Sequence, residues 1–566
     1  MAILLSGATL AAEVSFDLKK VLEEKTDNES VPVIISYRSE ANPFLLRKRL
    51  RTEERRFRRS IVPRTLKADA GRTGNRIVEL VKSLDGKDTR DLWIANSVAA
   101  DLTPAAIELL LSDPDIIQIR SDGLVDSPFP MAGEALAPEW NIDAVGVPAL
   151  WQAGYLGASV VIAAMDTGVD ALHPELAANY RGGDNSWFDP YGEHATPYDR
   201  TGHGTQVMGI MVGGDGSGAS IGIAPQATWI AVKIFNDAGS ATESAIHAAF
   251  QWLLDPDGDP LTDDAPDVVS QSWSFADPGG CNSAFQADIE ALKAADIAMV
   301  FSAGNFGPDA SSGASPGNNP GAFSAGAVDI NSDVSSFSSR GPSTCDGSLM
   351  PDIVAPGDAI QTTDLSFGGN AFYVSVSGTS FAAPHIVGVL ALLRDAIPPA
   401  SVDELEAALT ASATDIGEPG PDQDSGYGLV NAAAALDMLA YPVDVDGDGY
   451  GPSLDCNDND ITIYPGAPEI GRDGIDQDCN GYDLTIKIHQ AVYSHDGGSL
   501  RLRITSGLYE NAALEVVGVG PLEYRHAYND WHLSGGSVDG YANPVITVRG
   551  IEGDVEVEPR KPTPRR

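Results

Sequence analysis

The chain is poor in basic residues. Across 566 residues, 36 Lys+Arg stand against 80 Asp+Glu, a formal net charge of −44. A surface of that sign repels phosphate, which excludes nucleic acid as a partner. No run of eighteen or more apolar residues occurs, so no membrane span is expected. Cysteine is scarce: Cys281, Cys345, Cys456 and Cys479 are all there are, and none forms a C-x-x-C pair. That argues against a zinc site of that kind and permits two disulfides in an exported protein. A basic leader is also lacking ahead of the apolar stretch Met1–Ala12. The stretch reads as half of a secretory signal or, equally, as a frayed tail.

What charge there is lies unevenly. Residues 1–130 carry 20 basic and 20 acidic residues, leaving 16 basic and 60 acidic for 131–566. A salt-adapted cytosolic protein would be acidic throughout. This pattern instead suits calcium binding or a salty exterior, and it points to an extracellular or cell-surface location.

The length calls for several domains. After the N-terminal segment 1–30, residues 31–122 read as a small α+β unit. Val31–Tyr37 and Leu92–Ala100 are strand-like, and the Arg-rich stretch 43–83 is largely helical. Thr103-Pro104 opens a helix with Thr as cap and Pro in the first turn, and Ile116–Arg120 forms a further strand. Residues 123–138 are Pro- and Ala-rich and read as a linker. Residues 139–438 alternate apolar strands with helical patterns, as a parallel α/β sheet does. Residues 442–484 are dense in Asp, Asn and Gly, 485–558 show strand alternation, and 559–566 form a tail.

Four segments of the α/β region carry chemistry. Val160–Asp166 is an apolar strand ending in an acid, and sites in such sheets lie at the carboxyl ends of strands. In Gly202-His203-Gly204-Thr205 an imidazole between small neighbours opens a helical run. Met299–Asn305 runs from strand into turn and offers an amide. In Ser377-Gly378-Thr379-Ser380 a hydroxyl follows a tight turn and opens an apolar helix, whose N-terminus favours developing negative charge. Each segment alone also has a structural explanation: a strand-to-turn junction, a helix-start histidine, a turn-shaping Asn, a Ser cap. Together, in the order Asp, His, Asn, Ser, they are far more specific.

This set resembles the subtilase family of serine peptidases, and Asp166-Thr-Gly-Val, Trp187-Phe-Asp and Gly202-His-Gly-Thr resemble its bacillopeptidase F-like branch. The resemblance implies an α/β fold with a parallel sheet and helices on both faces. It implies that Ser380 attacks a peptide carbonyl, His203 moves the proton, Asp166 orients His203 and Asn305 holds the oxyanion. Ser272, Trp273, Ser274, Ala303 and Gly304 would line the substrate strip. Three positions depart from the family pattern: Gln206 where His is frequent, Phe381 where Met is frequent, and Ser274 where Gly is usual. The last implies a narrower first pocket that disfavours large aromatic side chains.

The family likeness also implies that 31–122 is a ferredoxin-like propeptide, an intramolecular inhibitor cut off within 121–138. Its neutral, Arg-rich surface complements the acidic enzyme. In the Asp-rich segment, Asp444, Asp446 and Asp448 fall at loop positions 1, 3 and 5, Tyr450 at 7 and Asp455 at 12, the spacing of a Ca²⁺ loop. A second partial loop offers Asp476, Asp478 and Asn480, and a Cys456–Cys479 disulfide would staple the pair. Residues 485–558 suggest a small β-sandwich that could contact a cell surface. The expected function is therefore a calcium-dependent serine endopeptidase acting on protein or peptide substrates. Two other readings stand beside it: a surface-binding protein with an inert peptidase-like domain, and a peptide ligase on the same scaffold. The other eight histidines read as structural or surface residues.

Overall fold

The computed structural model describes residues 12–26, 28–39, 41–128, 131–133, 139–367 and 369–440. Beyond these it describes scattered positions between 446 and 479 and the strands between 487 and 557. The chain divides into two units, 1–440 and 441–566.

A seven-stranded sheet organises the first unit, in the order Ile353–Pro356, Phe323–Val328, Ala298–Ser302, Val268–Gln271, Val161–Asp166, Thr228–Lys233, Trp187–Phe188. Every neighbouring pair is parallel. Parallel strands are covered on both faces, which is why these segments read as continuous apolar runs. In Val161–Asp166, Ile162 and Ala164 enter one core and Ala163 and Met165 the other, as the two-residue period of a strand requires. The first core packs helices His203–Val212 and Thr379–Ala396, and the second packs helices Glu243–Leu254 and Gln286–Ala294. The expected α/β fold with helices on both faces is therefore present.

A five-stranded sheet precedes it, in the order Glu13–Val14, Ile116–Ser121, Val31–Tyr37, Ser97–Leu102, Lys87–Leu92. Its last four strands have the ferredoxin-like order, with helices Arg55–Ser83 and Pro104–Leu110 as connections. Thr103 accepts the Ala106 N–H, so the cap read from sequence forms. The strand read at Leu92–Ala100 is a correction: Asn96 takes a left-handed conformation (φ 49°) after a short turn at Trp93–Ala95, splitting the segment into a hairpin. Glu13–Val14 and helix Phe16–Glu23 also belong to this unit, with Leu18 in its core.

In the second unit, two four-stranded antiparallel sheets account for the strand pattern of 485–558. Among the described residues no helix is long and apolar enough to cross a membrane.

Candidate active site

Asp166 is the last residue of its strand, and His203 the first of its helix. His203 Nδ1 lies 2.8 Å from Asp166 Oδ1, and both residues are 1% exposed. The glycines around them make this approach possible. Gly202 caps the helix at φ +90°, a conformation that favours glycine, and a Cβ on Gly204 would stand 2.1 Å from the Gly168 carbonyl. Asp199, which the sequence reading missed, fixes the loop. It accepts from Thr167 Oγ1, Thr201 N, Gly202 N, and Thr205 N and Oγ1. Burial raises its carboxyl above the usual range, against the pull of these donors and with the Asp166 charge adding to the rise. Its position four residues before His203, at a loop-to-helix turn, was the available signal.

Ser380 is the second residue of helix Thr379–Ala396, which packs on helix His203–Val212 and sets Phe381 5.5 Å, ring to ring, from His203. The Ser380 hydroxyl donates to the Ser272 carbonyl at 3.3 Å, and the Ser272 hydroxyl returns a bond to the Ser380 carbonyl at 2.8 Å. His203 Nε2 has no hydrogen-bond partner among the described residues, so the His–Asp bond is made and the Ser–His bond is not. Apo sites often show this looser geometry. Asn305 follows the strand Ala298–Ser302, and its Oδ1 accepts from Thr379 N (2.8 Å) and Thr379 Oγ1 (2.9 Å). With the oxygen committed, the amide NH₂ is the free end, beside Gly378. Thr379 is thus a second residue missed from sequence.

The substrate-strip residues cluster at the ends of two adjacent strands. Ser272 and Trp273 are buried, with Trp273 Nε1 bonded to Gln271 Oε1 at 2.7 Å, and Ser274 is partly open. Ala303 is bonded through its N–H to Ala325, and Gly304 N reaches Thr379 Oγ1. Gly304 sits at φ +109° with Ser339 Oγ where a Cβ would stand.

The segment read as a linker runs across this region. Leu124–Asp126 pairs antiparallel with Ser240–Thr242, and Ser127 N donates to Gly239 O. Val125 is buried in the second core with Ala241, Ile246 and Trp273. Beyond the pair 129–130, Met131–Ala132 pairs with Val376–Ser377, the strand that leads into Ser380.

The α+β segment 13–127, called the N-terminal unit below, is also clamped by charge to the part built on the seven-stranded sheet, called the catalytic unit. Arg58, 2% exposed, donates to the Ala294 and Lys293 carbonyls at the end of helix Gln286–Ala294 and pairs with Asp296 at 3.1 Å. Arg59, 6% exposed, holds Asp263, Asp267 and the Ala265 and Pro266 carbonyls. Arg47 pairs with Glu290 and Asp403, Arg55 with Asp267, Lys67 with Asp255 and Arg120 with Glu243. Burial opposes ionisation of Asp267, but Arg59 and Arg55 hold its carboxyl below the usual range. Asp403 is likewise held down by Arg47 against burial.

Several other histidines have structural partners: His173 caps a short helix, His247 meets Asp288, and His385 meets Asn141 and the Phe381 carbonyl. Burial pushes His385 down to about 4. His194 pairs with Asp237, where Lys233 also lies. Both disulfides are formed, Cys281–Cys345 and Cys456–Cys479, with Cα atoms 5.0 and 5.5 Å apart. Of the calcium-loop residues, Asp446 and Asp476 are described, whereas Asp444, Asp448, Tyr450, Asp455, Asp478 and Asn480 lie outside the described residues.

A carboxylate-oriented imidazole beside a helix-opening serine, at the carboxyl edge of a parallel sheet, defines the class of a serine peptidase. The subtilase family model matches residues 157–428. Bacillopeptidase F of Bacillus subtilis is 32% identical over 97% of this chain, although the chain spans only 38% of that protein. M-protease of Shouchella clausii is 32% identical over 60% of the chain and 78% of its own length. Subtilisin E of B. subtilis is 29% identical over 63% of the chain and 85% of its own length. The chain belongs to the subtilase family. A second model, of a metal-binding motif, matches residues 455–483.

Proposed function

We propose that this chain is an exported serine endopeptidase made as a self-inhibited precursor, with Asp166, His203 and Ser380 as its triad. The observation that carries this reading is the buried 2.8 Å His203–Asp166 bond beside the Ser380 helix. Asp166 Oδ1 fixes the imidazole so that Nε2 is the proton-accepting nitrogen. Ser380 Oγ leaves the Ser272 carbonyl, gives its proton to Nε2 and attacks the peptide carbonyl. The Asn305 NH₂ and the Ser380 N–H receive the oxyanion, and the proton on His203 passes to the departing amine. Water then enters by the same route in reverse and releases the acid. Ser274 narrows the first pocket, so cleavage after Phe or Tyr is disfavoured.

Residues 13–127 are the inhibitor in this reading. The 124–126 pairing, the 131–132 pairing and the buried arginine clamp support it. Cleavage falls within 121–138. The test is the N-terminal sequence of the purified protein: wild type starts inside that window, whereas Ser380→Ala keeps the segment. A Ser380→Ala chain cut at the same place would overturn self-processing.

Export is supported by two disulfides, which persist in oxidising surroundings. For the 442–484 segment the metal is Ca²⁺. The segment contains no His or Met, both its cysteines are in the disulfide, and its donors are hard oxygens. Asp444, Asp446, Asp448, Asp455, Asp476, Asp478 and Asn480 would hold it. The 487–557 sheets would serve as a cell-surface contact.

A further inference from the structure

The segment that crosses the candidate site lies as an extended peptide would. Leu124–Asp126 adds an antiparallel strand to Ser240–Thr242, with Leu124 opposite Thr242 and Val125 opposite Ala241. Backbone bonds extend the ladder at both ends: Ser127 N donates to Gly239 O, and Glu243 N donates to Gly123 O. Further along, Met131–Ala132 pairs with the strand that leads into Ser380. In recognition by strand addition, main-chain bonds give affinity and alternate side chains give specificity.

Alternation sorts the segment. Val125 is buried among Ala241, Ile246 and Trp273, whereas Leu124 is exposed. Residue 123 lies two places before Val125 and so shares its inward face. Continuing the register sets Gly123 opposite Glu243. The Glu243 side chain lies accordingly: a Cβ on Gly123 would run into its Oε1, with the carboxylate carbon 2.9 Å away. That oxygen is the end of a flexible side chain, which can turn aside for a larger residue.

Glu243 is a carboxylate that the peptidase chemistry does not use. Its side chain is 8% exposed, and it is ion-paired to Arg120 of the N-terminal unit, three residues before Gly123. Asp122, between them, turns instead to Ser244, accepting from its N and Oγ. Both Arg120 and Asp122 leave if the N-terminal unit is cut off and released. Glu243 then loses its cation, beside the place where residue 123 lay.

A carboxylate directly opposite a strand residue favours the opposite charge there. We propose that Glu243 is a specificity-determining residue that selects a Lys or Arg side chain in the substrate, two residues before the one that takes the place of Val125. In the uncut chain the Arg120 guanidinium stands in for that side chain. The preference presupposes the peptidase reading above and adds to it a choice of charge.

The experiment uses the protein after removal of the N-terminal unit. Its substrates are casein and three quenched peptides that copy residues 121–132 with Gly, Arg or Glu in the place of Gly123. The Arg peptide should exceed the Gly peptide about ten-fold in kcat/KM, the scale of a charge-assisted hydrogen bond, and the Glu peptide should be poorest. In Glu243→Gln the Arg-to-Gly ratio should fall to about one. If the peptides are not cut, their inhibition of casein hydrolysis should rank in the same order. Equal behaviour of the Arg and Gly peptides in wild type, or the same ratio in Glu243→Gln, would overturn the assignment, while casein hydrolysis would leave the peptidase reading standing. Absence of casein hydrolysis would overturn that reading, and the assignment with it. The wild-type series decides alone if Glu243→Gln does not fold.

Discussion

Replacing Arg59 by alanine removes a guanidinium that is 6% exposed and bonded to four oxygens: Asp263 Oδ1 at 3.0 Å, Asp267 Oδ1 at 2.9 Å, and the Ala265 and Pro266 carbonyls at 3.2 and 2.8 Å. Breaking a buried ion pair by deleting one partner costs about 3–5 kcal/mol, because the remaining charge stays buried. Here Arg55 still reaches Asp267 at 2.8 Å, and Asp263 is partly exposed, so the lower end applies. A loss of about 3 kcal/mol weakens docking of the N-terminal unit roughly a hundred-fold. The assay is dilution of the protein after the proposed self-cleavage. Activity reappears when the concentration falls below the dissociation constant, so Arg59→Ala should become active at a concentration about a hundred-fold higher than wild type. Arg56→Ala, exposed on the same helix, should behave as wild type. A shift under about three-fold for Arg59→Ala in a folded protein would refute the buried clamp as the main source of docking.

Three further outcomes follow from the same geometry. Asn305→Ala should lower kcat about 10²–10³-fold with KM little changed, as loss of an oxyanion donor does in subtilisin, and steady-state kinetics on a peptide substrate reads it. Docking of the N-terminal unit should weaken in acid: Asp267 and Asp403 are held below the ordinary carboxylate range when docked, so their contribution is complete above about pH 4 and lost as pH falls through their lowered values. Inhibition measured after brief acid incubation tests this, and inhibition that strengthened on acidification would contradict it. Replacing Cys281 and Cys345 by serine opens a link with a sequence separation of 64, which should cost about 4 kcal/mol and lower the thermal midpoint.

The region of the proposed triad was legible because its residues are packed into short, unusual strings. Asp166 ends an apolar strand, His203 directly follows the glycine that caps its helix, and Ser380 stands two residues after the glycine that caps its own, so backbone geometry and motif agree. The 7-stranded sheet was legible for the same reason, since buried parallel strands are apolar on both faces. What sequence hid depends on tertiary proximity. Asp199 and Thr379 act through bonds to loops and amides that only the fold brings together. The hairpin at Leu92–Ala100 turned on one left-handed Asn96 within a run of strand formers. The Cys281–Cys345 pairing stayed open because the intervening residues do not report distance. The charge asymmetry was visible as a count, but only the structure pairs Arg47, Arg58, Arg59 and Lys67 with particular acids of the catalytic unit.

The most direct test of the triad is labelling by a fluorophosphonate after the N-terminal unit has been removed, read by mass spectrometry of the peptides. The account predicts one adduct, on Ser380, lost in Ser380→Ala and slowed by several orders of magnitude in His203→Ala. Peptide hydrolysis at the wild-type rate by Ser380→Ala, or an adduct on another residue with Ser380 unmodified, would contradict it.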